Sequence, residues 1–418
     1  MIWFSLLLLL IAIIGAPLFT VIAASAMLGY QREGIELMAI AIEILGIADL
    51  SFLSAIPLFT FAGYLLSASR APIRLVRLTG ALLGWMPGGL ALVSLAACAF
   101  FTAFTGASGV TIIALGAILY PALQQDGYPA RFNLGLITTS GSLGLLFAPS
   151  LPLILYGVIA EVSIDQLFRA GILPGLLMLV MLAGWSLWVN RNNRRPLGDF
   201  SLREVGAALR ESIWELPLPV VVLGGIYSGY FAVSEAAAIT ALYVLLVEVV
   251  ILREISLVQL PRIMRDSMLL VGGILIILGV SLASTNYMID ANIPQQLLAI
   301  VAELVTSQAT FLVLLLLFLL VLGAILDIFS AIVLVVPLIL PIAAQYGVDP
   351  VHLGIVFLAA MQLGYLTPPV GLNLFIASYR FDKPIMQVYS ATLPFLLILA
   401  VSVIIITYWP QLSLWLVS

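Results

Sequence analysis

The chain is a succession of apolar stretches of membrane-crossing length, joined by short polar turns. Trp3–Leu28, Leu173–Val189, Ser267–Met288 and Leu393–Trp409 are the plainest of them. A hydrocarbon core about 30 Å thick is crossed by about 20 apolar residues of helix. Backbone surrounded by lipid must satisfy its own hydrogen bonds, so a chain of this pattern folds as helices. Hydrophobic residues make up 63% of the 418 and charged residues 9%, where a soluble domain carries about 25% charge. The sequence therefore predicts an all-α polytopic membrane protein with membrane lipid around it. Met1–Leu28 has no basic start and leads into further apolar sequence, so it reads as a first crossing and not a cleaved leader.

The net charge is −4 with no basic patch, which argues against a nucleic-acid partner. Cys98 is single and lies in an apolar run, as a small buried residue does. His352 is the only histidine, at a loop or helix start, and one histidine makes no metal cluster. No phosphate-binding glycine loop, nucleophile elbow or metal-spaced His/Cys set is present. The chain is expected to be no enzyme, to hold no cofactor, and to draw on an ion gradient rather than ATP.

Arginines orient the crossings, because cytoplasmic loops are enriched in them. After Ile35–Gly46 and a break at Ala48-Asp49, Leu50–Leu66 ends near Arg70, Arg74 and Arg77, which marks the inside. The stretch through Met86 alternates basic and apolar residues at helical spacing and suits the interface. Gly88–Phe104 and Val110–Tyr120 are each short for a crossing and flank Thr105-Gly-Ala-Ser-Gly109. They read as a re-entrant hairpin, or else as two short crossings. Phe132–Ile159 is broken at Ser140-Gly-Ser-Leu-Gly144 and Ala148-Pro-Ser-Leu-Pro152. Arg191, Arg194, Arg195, Arg203 and Arg210 form the most basic loop, between two halves. Leu216–Tyr230 and Ser234–Leu252 follow, with Glu235 as a charge at a helix N-terminus. Arg253, Arg262 and Arg265 mark the inside again, and Ile293–Val305 is amphipathic. Phe311–Leu326 and Ile328–Ile342 form a second hairpin with Asp327 near its tip. Leu353–Ser378 is broken at Gly364-Tyr-Leu-Thr-Pro-Pro-Val-Gly371. The expected total is about ten crossings plus two hairpins, with both termini outside.

The halves align at one offset. Pro121 and Pro341, Gln125 and Gln345, Gly127 and Gly347, Gly144 and Gly364, and Pro149 and Pro369 are each 220 residues apart. This predicts two inverted repeats: residues 1–200, with a hairpin near 88–120 and a broken helix near 132–159, and residues 201–418, with a hairpin near 311–342 and a broken helix near 353–378. Paired interrupted segments of this kind point to a transporter's binding site at the repeat interface.

Hairpin tips and broken helices offer carbonyls, hydroxyls and helix ends, which suit a hard cation. One candidate cation site takes Thr105, Gly106 and Ser108 with Ser140, Gly144 and Ser150; a second takes Gly323, Asp327 and Ser330 with Gln362, Thr367, Gly371 and Asn373. Helix N-termini direct donors at an anionic substrate, and Ser108, Pro149, Ser150, Asp327, Pro368 and Asn373 are the candidates for that contact. For each hydroxyl, packing or an interhelical hydrogen bond is the competing reading. For Asp327 it is a buried ion pair, against a cost of about 2.5–3.5 kcal/mol for charge at bilayer depth.

Four motifs recur together: Ile56-Pro-Leu-Phe59-x-x-x-Gly63, Gly144-x-x-x-Ala-Pro149-Ser150, Gly323-x-x-x-Asp327 leading to Pro337 and Pro341, and Gly364-x-x-Thr367-Pro-Pro-x-Gly371. The chain resembles, over nearly its whole length, the large membrane subunit of tripartite ATP-independent periplasmic (TRAP) transporters. The resemblance implies a bacterial or archaeal inner-membrane, sodium-coupled secondary transporter with an elevator mechanism. It implies a soluble periplasmic binding protein that delivers an organic acid, such as a sialic acid or a C4-dicarboxylate. It also implies a separate small membrane subunit of four helices. The family's ion-binding regions fall on the two tips and two breaks named above, with Ala107 where relatives are often richer in serine. A stand-alone ion-coupled carboxylate carrier is the alternative, and a polytopic membrane enzyme or scaffold a remoter one.

Overall fold

The computed structural model describes residues 10, 16–46, 53–86, 88–191, 200–292, 296, 305 and 307–417. Among these every regular element is a helix, the form that apolar sequence takes when lipid offers no hydrogen bonds. Several sequence expectations fall wholly or partly outside the described residues: most of Trp3–Leu28 before Ala16, the break at Ala48-Asp49, Arg194, Arg195, and nearly all of Ile293–Val305.

The chain opens with α1 (Leu18–Glu33) and α2 (Met38–Gly46), followed by α3 (Ala55–Ala68) and α4 (Ala71–Leu83). α4 is the expected amphipathic segment, and it buries Ala71, Pro72, Leu75 and Leu78. The first hairpin is α5 (Gly89–Thr105) with α6 (Ser108–Ala114) and α7 (Gly116–Gln125), the latter two bent by 49°. α8 (Ala130–Ser140), a tight turn over Leu143–Leu146 and α9 (Leu151–Ile159) form a broken helix bent by 45°. The half closes with α10 (Ile164–Ala170) and α11 (Ile172–Val189).

After the basic loop come α12 (Leu202–Glu211), α13 (Pro217–Tyr227), α14 (Val233–Leu245, continued by a π turn over Leu246–Ile251) and α15 (Leu260–Asp290). The second hairpin is α16 (Gln308–Ile325) and α17 (Ile328–Gln345); the second broken helix is α18 (Pro350–Gly364) and α19 (Leu372–Phe381). α20 (Ile385–Tyr408) and the short α21 (Gln411–Leu414) end the described chain.

Helix boundaries keep the sequence offset. α5 ends at Thr105 and α16 at Ile325; α6 begins at Ser108 and α17 at Ile328; α8 begins at Ala130 and α18 at Pro350. Gly127 and Gly347 both take left-handed backbone, at φ 83° and 72°, and the bonds before Pro149 and Pro369 are both cis. Among the described residues six helical segments are long and apolar enough to cross a membrane, or up to eight if each bent pair is one span. That count includes hairpin arms, and falls short of the expected ten crossings because Ala55–Ala68, Pro217–Tyr227 and Pro350–Gly364 are each shorter than a full span and part of the chain's first crossings lies outside the described residues. α15 begins at Leu260 and α20 at Ile385, ahead of the apolar stretches read from Ser267 and Leu393. Pro337 and Pro341 lie inside α17 rather than at a turn, so the Val333 and Pro337 carbonyls lose their intrahelical donors.

The units interlock. α6 packs on α19, α9 on α17 and α8 on α20, so each hairpin lies against the broken helix of the other half. Phe59, Phe101, Tyr156, Phe168, Phe357 and Phe395 are fully buried between them. α3 packs on α14 and α15, and α1 and α2 also lie on α15. Cys98 is buried, as expected. His352 lies in the first turn of α18, the helix start that its position indicates, and is buried there with Nδ1 3.2 Å from the Ser413 hydroxyl and Nε2 3.2 Å from the Thr407 carbonyl. Glu235 accepts from the Ala232 amide (2.9 Å) and so closes the start of α14, the role its position indicates.

Candidate functional site

The first tip is made by backbone. Gly106 takes left-handed φ 64°, its amide donates to the Thr102 carbonyl, and α6 restarts at Ser108 without a side-chain cap. The tip is seated on the start of α9: a Cβ on Gly106 would lie 2.6 Å from Leu151 Cγ. Thr105, Ser140 and Ser150 are fully buried here, and the Thr105 and Ser150 hydroxyls have no hydrogen-bond partner. Ser140 donates to its own helix at the Ile137 carbonyl (3.3 Å). Gly144 presses the break onto the hairpin arm α5, where an added Cβ would stand 2.3 Å from the Ala99 carbonyl oxygen.

The second tip is made by a side chain. Asp327 caps α17: one carboxylate oxygen accepts from the Phe329 and Ser330 amides, both at 3.0 Å, and the other from the Ser330 hydroxyl. This N-terminal cap satisfies donors that every helix start leaves open. Among the described residues Asp327 enters no ion pair. The Ile328 amide donates to the buried Tyr365 hydroxyl (2.7 Å), and the Gly371 amide to the Ala324 carbonyl (3.1 Å), so the tip is bonded to the break. Gly364 and Gly323 bring α18 and α16 into backbone contact: a Cβ on Gly364 would meet Gly323 Cα at 2.5 Å.

The predicted residues do not gather as two separate sets. Ser108 from the first tip donates to Asn373 Oδ1 (2.7 Å) at the second break, and Asn373 Nδ2 donates to the Thr138 carbonyl (3.4 Å). Asp327 is hydrogen-bonded to Ser330 alone among its proposed companions. Thr367 bonds back to the Leu363 carbonyl (3.0 Å). Gln362 is fully buried with neither amide atom bonded. Pro149 is buried, whereas Pro368 and Pro369 are exposed.

Three polar groups were not singled out from sequence. Thr139 is fully buried with an unpartnered hydroxyl. The Thr102 hydroxyl lies 2.7 Å from the Thr111 hydroxyl and 2.9 Å from the Gly141 carbonyl, which locks the first hairpin to the first break. Tyr365 is the third. The run Thr138-Thr139-Ser140 before Gly141 is a sequence signal for the first of these; nothing local marks Thr102 or Tyr365.

Unpartnered buried hydroxyls and amides are costly in a fold and call for a ligand or water to satisfy them. Thr105, Thr139 and Ser150 offer neutral oxygens of the kind that suit a hard monovalent cation. Helix starts at Ser108 and Leu372 add donors of the kind that suit an anion.

Comparison with known proteins bears on this arrangement. Residues 1–412 match the family model described as "Tripartite ATP-independent periplasmic transporter, DctM component". The chain is 36% identical over 377 residues to the C4-dicarboxylate TRAP transporter large permease protein of Pseudomonas aeruginosa, covering 90% of this chain and 88% of that one. It is 31% identical over 412 residues to the ectoine/5-hydroxyectoine TRAP transporter large permease protein of Ruegeria pomeroyi, covering 97% and 95%. The YdaH transporter of Alcanivorax borkumensis shares the fold, with a TM-score of 0.63 at 15% identity over 89% of this chain and 87% of that one.

Proposed function

The chain belongs to the DctM-component family of large TRAP transporter permeases, and we propose that it carries a small organic acid across the membrane together with Na+. It is a multi-pass membrane permease subunit and not an enzyme. Family membership implies a periplasmic binding protein and a small permease subunit as partners. The proposed substrate is a small carboxylate, a sialic acid or C4-dicarboxylate type of molecule, handed over by the binding protein. The relatives' names span C4-dicarboxylates and ectoines, in keeping with a site whose specificity is set partly outside this chain.

The observation that carries this reading is the Ser108–Asn373 bridge, beside buried hydroxyls with no partner. It joins a hairpin tip of one half to a helix break of the other, where substrate and ion sites of inverted-repeat transporters lie. We take residues 1–200 and 201–418 as inverted repeats, supported by boundaries that share one offset. We take Thr105, Ser150 and Thr139 as ion ligands at the first tip and Asp327 as the ion ligand at the second, with Asn373 and the helix starts beside it as substrate contacts. An elevator motion of the hairpins and broken helices against α1, α2, α3, α14 and α15 suits the interlocked packing of the former. The location proposed is the bacterial or archaeal inner membrane, with both termini periplasmic.

The test is uptake into proteoliposomes holding this chain and its small subunit. Candidate organic acids are offered with and without the binding protein and an inward sodium gradient. Uptake that needs both supports the proposal. Uptake without the binding protein identifies a stand-alone carrier, and uptake indifferent to sodium removes the coupling.

A further inference from the structure

Helix α4 is held to its neighbours by a buried cluster in which one guanidinium serves three carboxylates. Arg74 lies 2.5 Å from Glu215, 3.5 Å from Glu248 and in contact with Glu254. The Glu215 and Glu248 side chains are 4% and 1% exposed. The backbone is shaped to deliver them. A π turn over Leu246–Ile251 carries Glu248, a form of helix that concentrates at functional positions. Arg253 takes left-handed backbone at φ 55°, and the Glu254 and Ile255 amides donate to the Glu248 carbonyl (2.9 and 3.2 Å). Glu248 and Glu254 thereby face Arg74 together. Glu254 also accepts from the Arg70 amide (2.7 Å).

The charges in this cluster do not balance. Three carboxylates on one guanidinium leave two negative charges over, and Glu215 Oε2 and Glu248 Oε2 are buried with no hydrogen-bond partner. The surrounding groups do not supply the missing charge. Arg77 pairs with Glu204 and Glu211, and Arg262 and Arg265 with Asp266. Arg70 and Arg253 have exposed side chains. Tyr243 donates to the Trp214 carbonyl (2.9 Å), and Ser69, which faces Glu248, donates to the Leu66 carbonyl (3.0 Å). Among the described residues no group of three or more His, Cys, Asp or Glu is placed to hold a metal ion. Carboxylates confined together without enough opposite charge share protons instead.

We propose that the Arg74 cluster is a proton-binding site, in which a proton from water sits on an unpartnered oxygen of Glu215 or Glu248 while Glu254 stays ionised against Arg74. Burial also holds the Glu215 carboxyl above its ordinary range, against the pull of Arg74. The sign follows: a carboxyl raised in the folded state stabilises the fold while protonated, and that contribution is lost as pH rises through its folded value. The site is connected to the hairpin. α4 packs along α5, and Glu215 lines a small void with Phe100, Phe101 and Phe104 of that arm. Deprotonation loosens the seat of α4 beneath the first hairpin. The proton site stands on its own geometry; only its effect on uptake rests on the transport reading.

The experiment is infrared difference spectroscopy of the full chain with its small subunit in lipid nanodiscs, between mildly acidic and mildly alkaline buffer, with thermal unfolding over the same range. The expected result is a protonated-carboxyl C=O band that disappears at alkaline pH, with a parallel fall in unfolding temperature. In Glu215→Gln/Glu248→Gln the band is lost and the unfolding temperature no longer follows pH. If that double variant does not fold, Glu248→Gln alone is expected to lose or shift the band. A wild-type spectrum with no such band overturns the proposal, as does a band unchanged in a variant that folds. Stabilisation by sodium or calcium at fixed pH that is lost in Glu215→Gln/Glu248→Gln overturns it in favour of a metal ion at this cluster. Neither readout needs substrate, so failure here is separate from failure of the transport reading.

Discussion

The two hairpin–break units share their boundaries but not their chemistry. The first turns on Gly106 and surrounds itself with neutral hydroxyls, and its break is buried at Pro149 and Ser150. The second turns on the Asp327 carboxylate, and its break is open at Pro368, Pro369 and Val370. The shared offset puts the turns, and the glycines that admit a neighbouring helix, at matching positions. The side chain at the turn then decides what the tip can hold. A glycine turn leaves hydroxyls free for another ligand, whereas Asp327 already spends acceptor capacity on its own helix.

The largest effect is expected at the charged tip. Asp327→Ala is predicted to abolish sodium-driven uptake while the protein still inserts, because losing a cap costs only about 1 kcal/mol. Asp327→Asn keeps capping ability without the charge. Uptake that survives in Asp327→Asn would reduce Asp327 to a cap and leave ion binding to the first unit; normal uptake in Asp327→Ala would remove it from the site altogether.

Next come the two close approaches. Gly144→Val and Gly364→Val each drive a side chain into backbone, 2.3 Å and 2.5 Å away at Cβ. Overpacking of this kind costs about 1–3 kcal/mol or more. Both variants are expected to lower the recovery of monodisperse protein on size exclusion to a similar degree. A loss confined to one of them would show that the units are not packed equivalently.

A smaller effect is expected from the hydroxyls. Thr105→Val and Ser150→Ala remove buried, unbonded oxygens, so they should leave the unfolding temperature unchanged or slightly higher. The sodium concentration for half-maximal uptake should rise severalfold. Lower stability with unaltered sodium dependence would make these hydroxyls part of the packing.

Much of this was legible because glycine, proline and an intramembrane acid are local signals. The tips at Thr105–Gly109 and Asp327, the breaks at Ser140–Pro152 and Gly364–Gly371, and the amphipathic α4 all carry their reason in adjacent residues. Partnerships did not carry theirs. Ser108 and Asn373 meet across 265 positions, and Arg74 finds Glu254 across 180. Such pairings depend on which helix packs on which, and hydrophobic pattern is silent on that. As cation ligands, sequence separates Ser108 from Asp327 and Asn373, and groups them only as substrate contacts; the fold bonds Asn373 directly to the first tip.

The Ser108–Asn373 bond implies one site built jointly by the two halves. A double-mutant cycle with Ser108→Ala and Asn373→Leu, read in sodium-dependent proteoliposome uptake, tests it most directly. Residues in contact couple, whereas independent sites add. Each single change is expected to lower uptake markedly, with the double variant little worse than either. Fully additive losses would mean that Ser108 and Asn373 act in separate places, and the joint site would fall.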